Sequence, residues 1–398
     1  MVRISKSNFL EYSVLSFGLI PLLPNRLKGL PVALLLLAGF LNFRRDSKMD
    51  WKSFLINSSL FIVYLLSILL INSEGSYYKI IERSFSILII PFVFHLFIYK
   101  TQFDKKIVHS FFKIFVIASA IFSLIIILAT LTDSTTVYYQ DWYTNKARTV
   151  MENFPILGQH PIYGSLFFGL STLFCFELLN RKESKKIWIS LLVIHVVSLI
   201  FFLSKGIVIG LFMALIVLIV SKFKITKRSL TYLLIIGVLF SSLFIFNRRM
   251  REMISFKTYE KVDTNYSNSI RIGVYECVFE ILDEHWLLGV GVGNDQTQLN
   301  DCYQEKSDVL LQKLYNSHNQ FFDIWIKTGM IGLLIFFGFL VFHFRRAIIH
   351  RNYFLISILI YFIIIFFTEN LLSRQTGIIL FFFLIPFFSH KMATLEAD

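Results

Sequence analysis

Apolar runs long enough to cross a bilayer recur along almost the whole chain, and no other feature restricts its fold as severely. A spanning helix needs about 20 mainly apolar residues. Backbone inside a bilayer must also satisfy its hydrogen bonds within a helix or a closed barrel. Such runs fall at 9–24, 28–43, 53–72, 79–99, 107–132, 161–180, 187–203, 206–221, 230–247, 318–344, 352–368 and 375–390. They predict an all-α, polytopic transmembrane helical bundle of about twelve helices. Composition agrees: 56% of the 398 residues are hydrophobic and 16% charged, against about 45–50% and about 25% in soluble domains.

The formal net charge of +13 raises the question of nucleic acid, but the cations sit in short clusters between apolar runs, as orientation signals do. Counting Lys and Arg in alternate connections gives eighteen on one side (around 44–52, 100–106, 181–186, 222–228 and 345–351) and seven on the other (Arg26, Lys28, Lys79, Lys146, Arg148, Lys205, Arg374). The richer side is expected to be cytoplasmic, which puts both termini in the cytoplasm. The polar segments 133–160, Ser204-Lys205-Gly206 and 248–317 then lie outside. Residues 1–398 read as a single membrane domain with 248–317 as a long external helical loop. Arg3 and Lys6 precede an apolar run, but Glu11, Pro21 and Pro24 interrupt it and no small-residue cleavage site follows, so an uncleaved first span is expected. Cys175, Cys277 and Cys302 have no metal-site spacing; Cys277 and Cys302 share the external loop, where a disulfide is one option.

The external segments hold the candidate chemistry. Of nine histidines, His160, His285 and His318 fall outside. Ser317 and Gln320 fit a Ser-x-x-Gln capping box, which would set His318 in the first turn of a helix. There the helix dipole disfavours a cation and would keep the imidazole neutral and ready to accept a proton. An interfacial histidine without a role fits the same spacing. Arg271 opens the run Ile270–Trp286, whose Ile270, Val274, Val278, Ile281 and Leu282 recur at helical spacing. Its planar fork suits a phosphate, and an ion pair with a neighbouring acid is the plainer reading. Gly289-Val290-Gly291-Val292-Gly293 lacks the nucleotide-binding patterns and reads as a tight turn. Lys205 can snorkel to water or offer a point charge to a lipid phosphate. His160, in Gly158-Gln159-His160-Pro161, starts another helix. Glu369, Arg374, Glu82 and Arg83 lie near helix ends, where local pairs explain them. His195, inside a span, requires a polar partner. Tyr138, Tyr139, Trp142 and Tyr143 suit an interfacial aromatic belt. No metal-ligand arrangement is visible, and neither metal nor cofactor is expected.

His318-Asn319, a nine-residue gap and Gly329-Met330-Ile331-Gly332 together resemble the bacterial O-antigen ligase and O-antigen polymerase superfamily. Arg271 ahead of Leu288-Gly289-Val290-Gly291, Ser204-Lys205-Gly206 and His160-Pro161 are similar to the family in the same order, over roughly residues 155–370. The resemblance implies a multi-pass, bacterial inner-membrane glycosyltransferase of the GT-C type with its site on the periplasmic side. Its donor would be an undecaprenyl-pyrophosphate-linked glycan and its acceptor a sugar hydroxyl, on lipid A-core for a ligase or on a second lipid-linked glycan for a polymerase. It implies His318 as general base, Arg271 and Lys205 as pyrophosphate partners, Asn319, His160 and Gly291 as supporting residues, and inversion without a metal. The family commonly has arginine where this chain has Lys205, and lysine lacks the bidentate fork. A transporter or flippase for lipid-linked glycans is the alternative from another class.

Overall fold

The structure, a computed structural model, describes residues 6–43, 49–71, 77–98, 105–133, 142–179, 185–223, 226–251 and 267–389. The cations Arg44, Arg45, Lys48, Lys100, Arg181, Lys182 and Lys224, the aromatics Tyr138 and Tyr139, and positions 252–266 of the external loop lie outside the described residues.

Every predicted apolar run contains a helix, and among the described residues there is no strand. Among the described residues, six helices are long and apolar enough to cross a membrane. They are α3 (Trp51–Leu70), α4 (Tyr77–Phe92, continued by a π-helical turn Val93–Phe97), α5 (Lys105–Thr132), α7 (Pro161–Leu179), α8 (Lys185–Phe202) and α15 (Gln320–Ile349). Shorter apolar stretches are Lys205–Ser221 within α9 (Lys205–Phe223), Ser229–Leu243 within α10 (Lys227–Phe246), α16 (Tyr353–Phe366) and α17 (Gln375–Ser389). The first two predicted spans are broken or short. Helix α1 (Lys6–Ser16) gives way to a 3-10 turn, Phe17–Leu22, that contains Pro21, and α2 (Leu30–Asn42) has 13 residues. At about 1.5 Å per residue, α2 covers roughly 20 Å of a core about 30 Å thick.

Between helices in lipid, close van der Waals packing replaces the hydrophobic drive available in water. Helix α7 is buried almost throughout. Around it and α17 aromatic rings interlock, Phe17 stacking on Phe383 at 3.9 Å and Phe112 on Phe174 at 4.6 Å. Helices α9 and α16 approach through glycine: a Cβ at Gly210 would sit 2.9 Å from the Tyr361 carbonyl, and one at Gly206 would collide with the Thr368 hydroxyl. This contact sets the start of α9, hence Lys205, beside the end of α16. Helix α16 is short, and the connection after it is drawn into the bundle: Asn370, Leu371 and Leu372 are buried.

The external loop supplies α12 (Ser267–His285), α13 (Asp295–Lys306) and α14 (Asp308–Lys313), after the short α11 (Arg248–Arg251); α6 (Trp142–Asn153) is the helix of the 133–160 segment. Ile270, Val274, Val278, Ile281 and Leu282 are all buried, as their helical spacing requires, against Leu299, Tyr303, Leu310 and Ile326. Cys277 and Cys302 form a disulfide that joins α12 to α13.

Glycine-rich turn and membrane helix meet at Gly329, where φ of +67° breaks α15. The broken ladder exposes backbone groups, and the turn after α12 fills them: Val290 N donates to Ile326 O at 2.7 Å and Met330 N to Trp286 O at 2.8 Å. Gly289, Gly291 and Gly293 all take positive φ, so this is the tight turn the sequence predicts. A Cβ at Gly329 would strike the Leu287 carbonyl. Gly329→Ala is therefore expected to lower stability by about 2–4 kcal/mol from backbone strain and overpacking. Thermal unfolding in detergent measures this. Gly338→Ala, with nothing near its Cβ, should leave the midpoint unchanged or slightly raised.

Candidate active site

His318 does not lie in the first turn of α15, and the predicted capping box does not form. Asn319 is the N-cap, its Oδ1 accepting from Phe321 N at 2.9 Å and Phe322 N at 3.3 Å. Serine and asparagine cap about equally well, and here the Ser317 hydroxyl is engaged elsewhere, accepting from Asn370 Nδ2 at 2.9 Å. Gln320 turns inward, accepting from Leu372 N at 2.6 Å and donating to Asp323 Oδ2 at 3.2 Å. His318 is left outside the helix with φ of +46°, its N–H held by Asn316 Oδ1 at 3.1 Å. The side chain consequently projects towards the end of α16.

There it meets Glu369. His318 Nδ1 lies 3.5 Å from Glu369 Oε2, at the edge of hydrogen bonding, and has no other partner. Glu369 Oε1 accepts from Arg271 Nη2 at 3.1 Å, and the same nitrogen donates to Thr368 O at 3.0 Å. Side-chain exposures of 19% for Arg271, 14% for Glu369 and 26% for His318 put the trio in a crevice rather than on an open surface. Glu369 is thus a long-range bridge, where the sequence suggested a local pair. Burial alone would raise its pKa; the contact with His318 and the charge of Arg271 outweigh burial and hold the carboxyl below its ordinary range. Arg271 Nη1 and Nε have no hydrogen-bond partner among the described residues, so one edge of the fork is available.

The other predicted residues gather unequally. Lys205 is the first residue of α9 and is buried. Through Gly206 it adjoins Thr368, the residue whose carbonyl Arg271 holds. Tyr275, one turn beyond Arg271, brings its hydroxyl to the Asn319 side chain, and the Tyr315 ring lies 5.7 Å from that of His318. His160 belongs to the same electrostatic neighbourhood. Burial first, then the charge of Arg374, pulls its pKa down to about 4, with Glu369 opposing and Arg148 and His318 adding to the fall. Gly291 does not join this group; it packs against Ile71 beside the α15 break. His285 lies with Gly289 on a separate recess. His195 finds its partner in the Val116 carbonyl at 3.2 Å. Among the described residues no group of three or more His, Cys, Asp or Glu is arranged to hold a metal.

Several residues that shape the site carried no signal in the sequence. Arg148 on α6 donates to Phe202 O at 3.1 Å, capping α8 where cations are favoured and fixing the break ahead of Lys205. Lys28 Nζ donates to Gln159 Oε1 at 2.7 Å and to Thr376 Oγ1 at 3.0 Å, which fastens the His160 segment to α17. Beneath His318, Asn370 Nδ2 also donates to Asp323 Oδ1 at 2.9 Å. Asp323 and Asp295 flank Lys327 Nζ at 2.7 and 3.5 Å. A buried ion cluster of this kind is more costly to break than to omit. Lys327→Met should destabilise the protein by about 3–5 kcal/mol, seen as a lowered unfolding midpoint.

His160 adds a pH dependence. Its folded pKa near 4 lies below the unfolded value of 6.5, so the unfolded chain binds more protons between those limits. The stability it contributes is complete above about pH 6.5 and is lost as pH falls towards 4. Unfolding midpoints of the wild type should fall more steeply from pH 7 to 5 than those of His160→Gln; parallel curves would contradict the assignment.

Residues 188–337 match the model of the O-antigen ligase family, a stretch that contains Lys205, Arg271 and His318 and stops short of Glu369. No curated protein matches the chain.

Proposed function

Since the chain belongs, through residues 188–337, to the O-antigen ligase/polymerase superfamily, we propose that the crevice around Glu369 transfers a glycan from undecaprenyl pyrophosphate to a sugar hydroxyl. Membership makes the protein a multi-pass membrane enzyme of glycosyl transfer that handles lipid-linked glycans and their acceptors in general. The donor, acceptor and residue roles that follow are our reading. The observation that carries it is the shared carboxylate: a base candidate, His318, and a phosphate partner, Arg271, are oriented by one buried anion.

With Nδ1 facing Glu369 and carrying the ring proton, the neutral His318 ring keeps its Nε2 lone pair for the acceptor's proton. A carboxylate that fixes the tautomer and steadies the imidazolium serves the same purpose in hydrolase triads. The acceptor O–H gives its proton to Nε2, and its oxygen bonds to the anomeric carbon from the face opposite the leaving group. The bond from that carbon to the pyrophosphate oxygen breaks, with inversion. Undecaprenyl pyrophosphate departs with the electron pair, and the spare edge of Arg271 together with Lys205 neutralises the charge that develops there. The donor bond is already activated, so the reaction needs no nucleotide.

An outer-face location is supported by the Lys and Arg distribution and by the Cys277–Cys302 disulfide, since disulfides persist in oxidising compartments. Among the two acceptors we favour lipid A-core, the ligase reaction, on the well-kept spacing from His318-Asn319 to Gly329. The gathering of polar groups at one end of the bundle, rather than at mid-membrane as in transporters, favours a transferase over a flippase.

In a reconstituted assay with lipid-pyrophosphate donor, His318→Ala should lose about 10²–10⁴-fold in turnover while remaining folded. Arg271→Ala should chiefly raise the KM for donor. Wild-type turnover in His318→Ala would remove the base assignment. In a deletion strain, lipid A-core bare of polymer beside intact lipid-linked chains identifies a ligase, and single repeat units on the core identify a polymerase.

A further inference from the structure

A recess of about 690 Å³ opens between the end of α12 and the start of α13, floored by the glycine turn and closed on one side by Ile71 at the end of α3. It lies apart from His318. Glu284 follows Arg271 by 13 residues on one helix, a separation of about 20 Å at the helical rise. The volume is that of a small-molecule site. Its lining includes Glu284, His285, Trp286, Asn294, Thr297 and Gln298.

We infer that this recess is a glycan-binding subsite, which holds sugar residues of a substrate chain some distance from the reacting centre; the inference rests on the glycan-transfer reading above. The polar side chains point to the ligand. Glu284, His285, Thr297, Gln298 and the Trp286 indole N–H have no side-chain hydrogen bond or ion pair among the described residues, although all line one recess. A lipid chain seated there would strip water from these groups without replacing it, an unfavourable exchange. A sugar has hydroxyls to satisfy them, and its C–H face suits a flat ring that is 52% exposed, as Trp286 is. Among the described residues the lining contains one carboxylate and no lysine or arginine, so it fits a neutral or amino sugar, rich in donors, better than a uronic acid. Side chains on two helices joined by the Cys277–Cys302 disulfide form a wall that changes little on binding, which reduces the ordering cost.

Binding of free oligosaccharide tests this separately from catalysis. The probe is the mixture released by mild acid from the surface polysaccharide of the producing cells, titrated against the full-length protein in lipid nanodiscs and followed by saturation-transfer NMR. The wild type and His318→Ala should bind alike. Trp286→Ala and Gln298→Ala should each weaken binding roughly tenfold or more, about 1.4 kcal/mol or more, while Trp286→Phe retains most of it; unfolding midpoints of these three variants should match that of the wild type. No binding by the wild type, or undiminished binding by Trp286→Ala and Gln298→Ala, overturns the subsite and leaves the transfer reaction standing if the wild type still turns over lipid-linked donor. Oligosaccharide binding that depends on Trp286 supports the subsite even if that turnover assay fails, a result that would count against the transfer reading alone.

Discussion

A carboxylate withdrawn from water costs several kcal/mol unless cations and donors replace its hydration, and Glu369 meets that requirement with two partners from different parts of the chain. Arg271 comes from the external helix α12 and His318 from the connection into α15, while Glu369 itself lies in the connection after α16. Placing one anion between them fixes three elements at once. It also dictates the chemistry open to the site, because the imidazole and the guanidinium are each turned by the same group, one with a lone pair to spare and the other with an unoccupied edge.

The surrounding structure can be understood as support for that anion. Arg148 holds the end of α8, Gly206 lets α9 close on Thr368, and Asn370 ties Ser317 to the buried Asp323–Lys327–Asp295 cluster. The break at Gly329 admits the turn after α12, so the helix that bears Arg271 is anchored to the helix that follows His318. The disulfide between α12 and α13 adds a covalent constraint on the same layer.

Much of this was legible in the chain, and what was not has a physical cause. Apolar runs mark helices because lipid allows little else, and the buried face of α12 follows from its 3.6-residue period. His318, Arg271 and Lys205 stood out as cations or bases in an apolar protein. The cap register misled because Ser317 and Asn319 are equally good caps, and only the distant Asn370 decides between them. Glu369 resembled a local partner of Arg374, since nothing in sequence shows that it pairs with a residue 98 positions away. Gly291 lies against Ile71, away from His318, a tertiary approach that no local pattern in the sequence reveals.

The central claim is that the Arg271–Glu369–His318 crevice receives the pyrophosphate end of the donor. An experimental structure with a non-hydrolysable phosphonate analogue of undecaprenyl pyrophosphate glycan tests it most directly. The account predicts phosphate oxygens within hydrogen-bonding reach of Arg271 and Lys205, with the anomeric carbon on the Nε2 side of His318. Density for the phosphates at the opposite end of the bundle, with Arg271 still bound only to Glu369 and Thr368, would contradict it.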